Sequence, residues 1–117
     1  MPLTIRGLRA RPVNVPMKRP LVTGGGTVGT APLVLIDLET SDGVTGSSYI
    51  FCYTPMALQP MATLLLNLGA VLRGRALAPY DIEQELRNRF RLIGPQGFTG
   101  MALAGIDMAA WDALAKV

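Results

Sequence analysis

Few residues of this sequence could do chemistry, and their types and spacing decide what chemistry is open to them. No histidine is present, which removes the commonest general base and metal ligand near neutral pH. Asp107 and Asp112 come nearest to a paired-carboxylate signature. Five residues of helix turn them about 140° apart, so they cannot converge on one metal. Their expected roles are structural, one in a buried hydrogen bond and the other on a solvated face. Cys52 has no partner in the sequence able to activate it and reads as a half-buried thiol. Gly24 to Gly29 spell G-x-G-x-x-G, which in a dinucleotide site leads from a strand into a helix that meets the pyrophosphate. Here Pro32 and the apolar run Leu33 to Ile36 follow, so the glycines lead into a strand, and Thr30 stands where a Walker loop needs lysine. A mobile loop is the expectation. Acid–base or metal catalysis needs a base, an acid or a cage of ligands. None can be assembled, so no catalytic residue and no metal ligand is expected in this chain.

The bulk properties say what such a chain must be instead. At 117 residues there is room for one domain. Hydrophobic residues make up 50%, which argues against disorder, but charged residues only 16%, against about 25% in an average soluble domain. A surface short of charge implies a large apolar face that meets something else. The single cysteine excludes an internal disulfide and points to a reducing, cytoplasmic compartment. Net charge is +3, yet the basic residues are not interleaved with aromatics on one face, and no nucleic-acid partner is expected. Gly43 to Leu72 carries no charge, but Pro55 and Pro60 interrupt it and no membrane span is expected. Met1 to Pro16 lacks the continuous apolar core of a signal peptide.

Hydrophobic periodicity supplies the elements. Leu3, Ile5, Leu8 and Ala10 alternate with a phase shift at Gly7, predicting a strand with a bulge that continues through Val13 and Val15 to Pro16. Pro20 to Thr30 reads as a flexible loop, Leu33 to Leu38 as a strand, Ser41 to Gly43 as a turn and Val44 to Phe51 as the returning strand. Thr54 and Pro55 look like a helix start, with Pro60 forcing a restart or a kink before a regular stretch from Met61 to Leu72. Asp81 with Gln84 resembles a capping box for a second helix, whose core stripe is Ile82, Leu86, Phe90 and Ile93. The last helix starts near Thr99, with Ala104, Met108, Trp111 and Leu114 as its buried candidates. It shows no C-cap signal before Val117, which reads as a chain continuing elsewhere. The fold class is α+β, a three-stranded antiparallel sheet followed by a small helical bundle.

Four segments carry a resemblance. Thr27 to Leu38 (TVGTAPLVLIDL), Gly105 to Leu114 (GIDMAAWDAL), Asp42 to Gly46 (DGVTG) and Leu77 to Pro79 (LAP) resemble the mandelate racemase and muconate-lactonizing group of the enolase superfamily, nearest its racemase branch. The resemblance spans essentially the whole chain and implies an N-terminal capping domain, residues 1–117, without the C-terminal barrel. In that superfamily a proton alpha to a carboxylate is abstracted by lysine or histidine, with Mg²⁺ stabilising the enediolate, at the end of the barrel. The resemblance thus implies a Mg²⁺-dependent parent enzyme, an isomerase or else a dehydratase or cycloisomerase, and an inactive isolated chain. Its implied partners are the barrel, a small carboxylate substrate and further copies of the same protein. Two lid loops are implied to contact substrate: one with Leu21, Thr23, Gly25 and Val28, the other with Phe51 and Tyr53. The racemase branch has bulkier apolar residues where Gly24 and Gly25 stand, and no counterpart of Pro60. A looser loop, a roomier pocket and an acid other than mandelate follow from that difference. The competing expectation is a stand-alone interaction module without catalysis.

Overall fold

Strict alternation of Val34, Ile36 and Leu38, each almost completely buried, sets the centre of the molecule. They belong to β2 (Gly26–Thr40), which pairs antiparallel with β1 (Ile5–Thr23) on one side and β3 (Thr45–Phe51) on the other. The structure is a computed structural model and describes residues 3–117. Ile36 lies between Ala10 of β1 and Ser48 of β3, so one sheet face is apolar and turns inward. The expected bulge falls between Ile5 and Gly7. The turn at Ser41 to Gly43 also forms, with Gly43 at φ +75°, a conformation that glycine adopts without steric cost.

The expected loop over Pro20–Thr30 is not a loop. Leu21 pairs with Val28, Val22 with Thr27 and Thr23 with Gly26, leaving only Gly24 and Gly25 as the turn. The β-branched residues on both sides favour extended backbone, and this local preference outweighs the glycines. Thr23 Oγ1 donates to the Gly26 carbonyl at 2.7 Å and accepts from the Gly25 N–H at 3.2 Å, which closes the hairpin. A second register shift lies between Pro16 and Leu21. β3 pairs with β2 only as far as Leu33 opposite Phe51, so beyond that point β1 and β2 form a two-stranded arm. The arm makes the domain long, 49 × 33 × 20 Å, with a radius of gyration of 14.9 Å. A compact chain of this length would have about 13 Å.

Of the three helices, α1 (Leu58–Leu72) and α3 (Gly97–Ala115) cover the inner sheet face, and α2 (Pro79–Arg89) packs on α3. A short 3₁₀ turn, Pro55–Ala57, precedes α1, capped by Thr54, whose hydroxyl accepts from the Met56 N–H at 3.4 Å. The 3₁₀ turn gives way to α1 at Leu58, two residues before Pro60. Pro60 sits in the first turn of α1, where its missing N–H has no helical acceptor to lose. By length and composition Pro55–Leu72 could cross a membrane, but Met61, Leu65, Leu68 and Leu72 are buried within the domain. α2 begins at Pro79 instead of at Asp81, and no side chain caps it. Ile82 and Leu86 are buried and Phe90 packs beside them, whereas Ile93 is 79% exposed. The helix has ended by then, and Gly94, at φ +99°, donates back to the Phe90 carbonyl and turns the chain away.

α3 buries the face opposite to the one expected. Ala102, Ile106, Ala109, Ala110 and Ala113 are buried, while Ala104, Met108, Trp111 and Leu114 are exposed. The reason is close approach. A Cβ on Gly46 of β3 would run into the Ala109 carbonyl, and one on Gly105 would come within 2.6–2.8 Å of Ile36 and Ile50. At these two contacts only small residues fit, so Met108 and Trp111 point away although Ile106 and Leu103 are buried elsewhere along the helix. Ser48 Oγ donates to the Gly105 carbonyl at 2.7 Å, and the Ser47 N–H to Asp112 Oδ2 at 2.8 Å, which fixes the helix on the strand.

Candidate functional site

Tyr53 lies two residues past the end of β3, in a three-residue turn closed by the Thr54 N–H donating to the Cys52 carbonyl at 2.7 Å. Its φ is +65°, and among the described residues it is the only non-glycine with positive φ. Turns of this kind are rare and strained, and a left-handed L-residue costs about 1–2 kcal/mol. The turn throws the Tyr53 side chain outward, 68% exposed, with its ring edge-on to Phe51 at a centroid distance of 4.7 Å. Cys52 between them is buried, more deeply than the half-buried thiol expected, and burial pushes its thiol pKa up. Its N–H donates to the Pro32 carbonyl at 2.8 Å, fastening the turn to the root of the arm. Pro32 is a positioning residue that the sequence reading missed; its only signal is a proline at the head of an apolar strand.

The other four proposed contact residues sit near the arm's tip. Leu21, 46% exposed, pairs across the strands with half-buried Val28. Thr23 is held in the turn by the two hydrogen bonds described above, and Gly25 has open space around it. A Cβ there would meet only Thr23 Oγ1, at 3.9 Å. The six residues therefore form two clusters. Val28 is five positions along β2 from Leu33, the partner of Phe51. At about 3.3 Å per residue the clusters are roughly 17 Å apart along the arm. A shallow cleft of about 550 Å³ on α2, lined by Asp81, Gln84, Glu85, Asn88 and Arg89, borders neither cluster.

The charged groups lie elsewhere. Asp112 is held below the usual carboxylate range, first by its hydrogen bond from Lys116 and next by the Ser47 N–H. Asp107 is raised, chiefly by burial and then by the nearby charge of Glu83, while a hydrogen bond from Trp111 opposes both. The two aspartates diverge, as helical spacing requires. Among the described residues no three carboxylate or thiol groups converge, so this chain's own side chains do not fit a magnesium site. The geometry offers a projecting arm and a strained aromatic turn, both exposed.

Residues 5–117 match the family described as mandelate racemase / muconate lactonizing enzyme, N-terminal domain. An enolase from Bradyrhizobium, solved with magnesium and mandelic acid, is 48% identical with a TM-score of 0.92, over 99% of this chain and 32% of that one. An enolase from the alphaproteobacterium bal199, with bound magnesium, is 39% identical with a TM-score of 0.91, over 97% of this chain and 31% of that one. The L-talarate/galactarate dehydratase of Salmonella typhimurium LT2 shares the fold at 19% identity and a TM-score of 0.84, over 99% and 31% of the two chains. The chain thus spans about a third of the length of these relatives. From the arm, the bulged sheet and the alanine-faced helix to the match over residues 5–117, the observations agree that the chain belongs to the mandelate racemase / muconate lactonizing enzyme family, as its N-terminal domain.

Proposed function

We propose that this domain caps the active site of a longer, magnesium-dependent enzyme that removes a proton alpha to a carboxylate. The single observation that carries the reading is Tyr53, an exposed aromatic held in a left-handed turn. Such strain persists only where the surrounding structure over-determines it, and it clusters at ligand clamps and active sites. On this reading the turn at Phe51 and Tyr53 and the arm tip at Leu21, Thr23, Gly25 and Val28 lie over the substrate, exclude water and select its distal part. The bases and the metal ligands belong to the rest of the longer protein, so the isolated chain is inactive. The substrate class is a small α-hydroxy acid, supported by the mandelic acid in the Bradyrhizobium enolase. Racemisation is the leading reaction, with dehydration or cycloisomerisation the alternatives that the open space at Gly25 would permit. A homo-oligomer in a reducing cytoplasm completes the proposal, the compartment resting on the lone buried Cys52.

The test uses residues 1–117 fused in place of the matching third of the Bradyrhizobium enolase. Tyr53→Ala removes contact area and one hydrogen-bonding group, about 1–3 kcal/mol. KM should rise with kcat little changed if the lid binds uniformly, and both should suffer if closure excludes water. Gly25→Val should narrow the range of accepted acids. Relative kcat/KM values unchanged by both substitutions across a panel of α-hydroxy acids would show that the lid does not select substrate.

A further inference from the structure

Arg6 is the extra residue of the bulge at the start of β1. Ile5 pairs with Thr40 and Gly7 with Glu39, which leaves Arg6 no partner on β2. A bulge re-aims one side chain, and bulges recur beside functional sites. The backbone around this one is pinned: the Ile5 N–H donates to the Arg75 carbonyl and the Gly74 N–H to the Ile5 carbonyl, both at 2.8 Å. Gly74, at φ +86°, turns the chain away directly after Arg73, the C-cap of α1. Arg6 and Arg73, both exposed, thus enter one cleft from two elements that the backbone ties together. The cleft measures about 350 Å³, and Glu39, Thr40, Gly43 and Thr45 complete its lining.

Its charges do not balance. Among the described residues neither Arg6 nor Arg73 has a carboxylate partner, whereas Arg9, Arg75, Arg87 and Lys116 each have one. Glu39, the one acid lining the cleft, is engaged by Arg9 at 3.4 Å. The C-terminal end of α1 supplies only about half a negative charge, against two guanidinium groups. Thr40 spends its hydroxyl on the Val44 carbonyl at 2.6 Å, and Thr45 contributes a second hydroxyl.

We propose that this cleft binds a phosphate dianion, free or as the phosphoryl group of a small molecule, with Arg6 and Arg73 as its two forks and Thr45 as a hydroxyl donor. A guanidinium group presents paired N–H donors that match phosphate oxygens two at a time. A phosphoryl group carries about −1.5 to −2 at neutral pH, which offsets the two arginines. The cleft lies at the Thr40 end of β2, opposite the Gly24–Gly25 turn of the arm. Its ligand is therefore distinct from the acid of the capping reading, and the two stand or fall separately.

Inorganic phosphate titrated into the isolated chain tests it, with chloride holding ionic strength constant so that screening cannot imitate binding. Amide NMR shifts should saturate and concentrate at Arg6, Gly43, Thr45, Arg73 and Gly74. Arg6→Gln and Arg73→Gln should each raise the Kd at least about tenfold, the loss of one charge-assisted pair. Arg91→Gln, outside the cleft, should leave it unchanged. Phenyl phosphate separates the two sources of the group: tighter binding than inorganic phosphate assigns the cleft to a phosphorylated small molecule, and equal or weaker binding to the free ion. Shifts that stay linear with concentration, that spread equally over Lys18 and Arg19, or that survive both cleft substitutions would overturn the assignment. The map on the unsubstituted chain decides the matter even where a variant fails to fold.

Discussion

At the scale of single residues, the left-handed turn at Tyr53 sets a cost that substitution can read directly. Tyr53→Ala loses the ring contact with Phe51 but keeps the strain, whereas Tyr53→Gly loses the contact and relieves it. The glycine variant should therefore be more stable than the alanine variant by about 1 kcal/mol, net of glycine's extra chain entropy. Equal denaturation midpoints would show that the turn relaxes without cost. The conformation was illegible beforehand, because glycine and asparagine are the residues that advertise positive φ and tyrosine is neither. Asp112 was more legible: helical spacing alone placed it away from Asp107. Its folded pKa is depressed, so the stability it adds is present above its ordinary value of 3.8 and fades as pH falls through the lower folded value. Asp112→Asn should accordingly be less stable than the parent at pH 6, with the gap closing as pH falls below 3.8 and through the lower folded value. A gap independent of pH in chemical-denaturation curves would mean that the hydrogen bond from Ser47, and not the charge, carries the contribution.

At the scale of elements, α3 shows both what pattern reveals and where it stops. That a last helix starts near Thr99 was readable from the sequence, and it begins two residues earlier, at Gly97. Which face turns inward was not, because leucine, methionine and tryptophan on one side compete with alanine and glycine on the other. The sheet decides it: with Gly46 open to the Ala109 carbonyl, a large side chain cannot enter. Gly46→Ala should thus be the more damaging of two small changes, exceeding about 3 kcal/mol, since its wall is helix backbone that cannot swing aside. Gly105→Ala meets the flexible ends of Ile36 and Ile50 and should cost about 1–3 kcal/mol. The reverse order in thermal unfolding would mean that the helix rides freely on β3. The same geometry lowers the cost of Trp111→Ala. At 41% exposure it should cost the isolated chain only about 1 kcal/mol, well under the 3–5 kcal/mol of a fully buried aromatic. A loss in the full buried range, measured by urea titration, would contradict the observed packing.

For the whole molecule, the decisive feature is the division between a packed body and an unsupported arm. The body joins β2 to strands on both sides and to helices on one face. The start of β1 is pinned as well, with the Ile5 N–H donating to the Arg75 carbonyl and the Leu77 N–H to the Leu3 carbonyl. Beyond Leu33 the hairpin has no third strand, no helix and prolines at positions 16 and 20 that donate nothing. Two strands alone are marginal in water. The sequence marked this region only as rich in glycine, which suggested a loop; the β-branched residues around the glycines make it a ribbon, and the ribbon's weakness follows from what is missing beside it. Such an element stays extended at modest cost and yields readily, which the proposed capping role requires. Amide hydrogen exchange should therefore separate the two regions in the isolated chain. Amides from Val34 to Leu38 should exchange only by global unfolding, with opening energies near the total of about 5–15 kcal/mol, while those from Leu21 to Val28 should open at about 1–2 kcal/mol. Adding denaturant should accelerate the first group steeply and the second hardly at all, because local opening exposes little new surface. Arm amides as protected as those of β2, and equally sensitive to denaturant, would make the arm part of the cooperative core and would leave the closing motion without a mobile element.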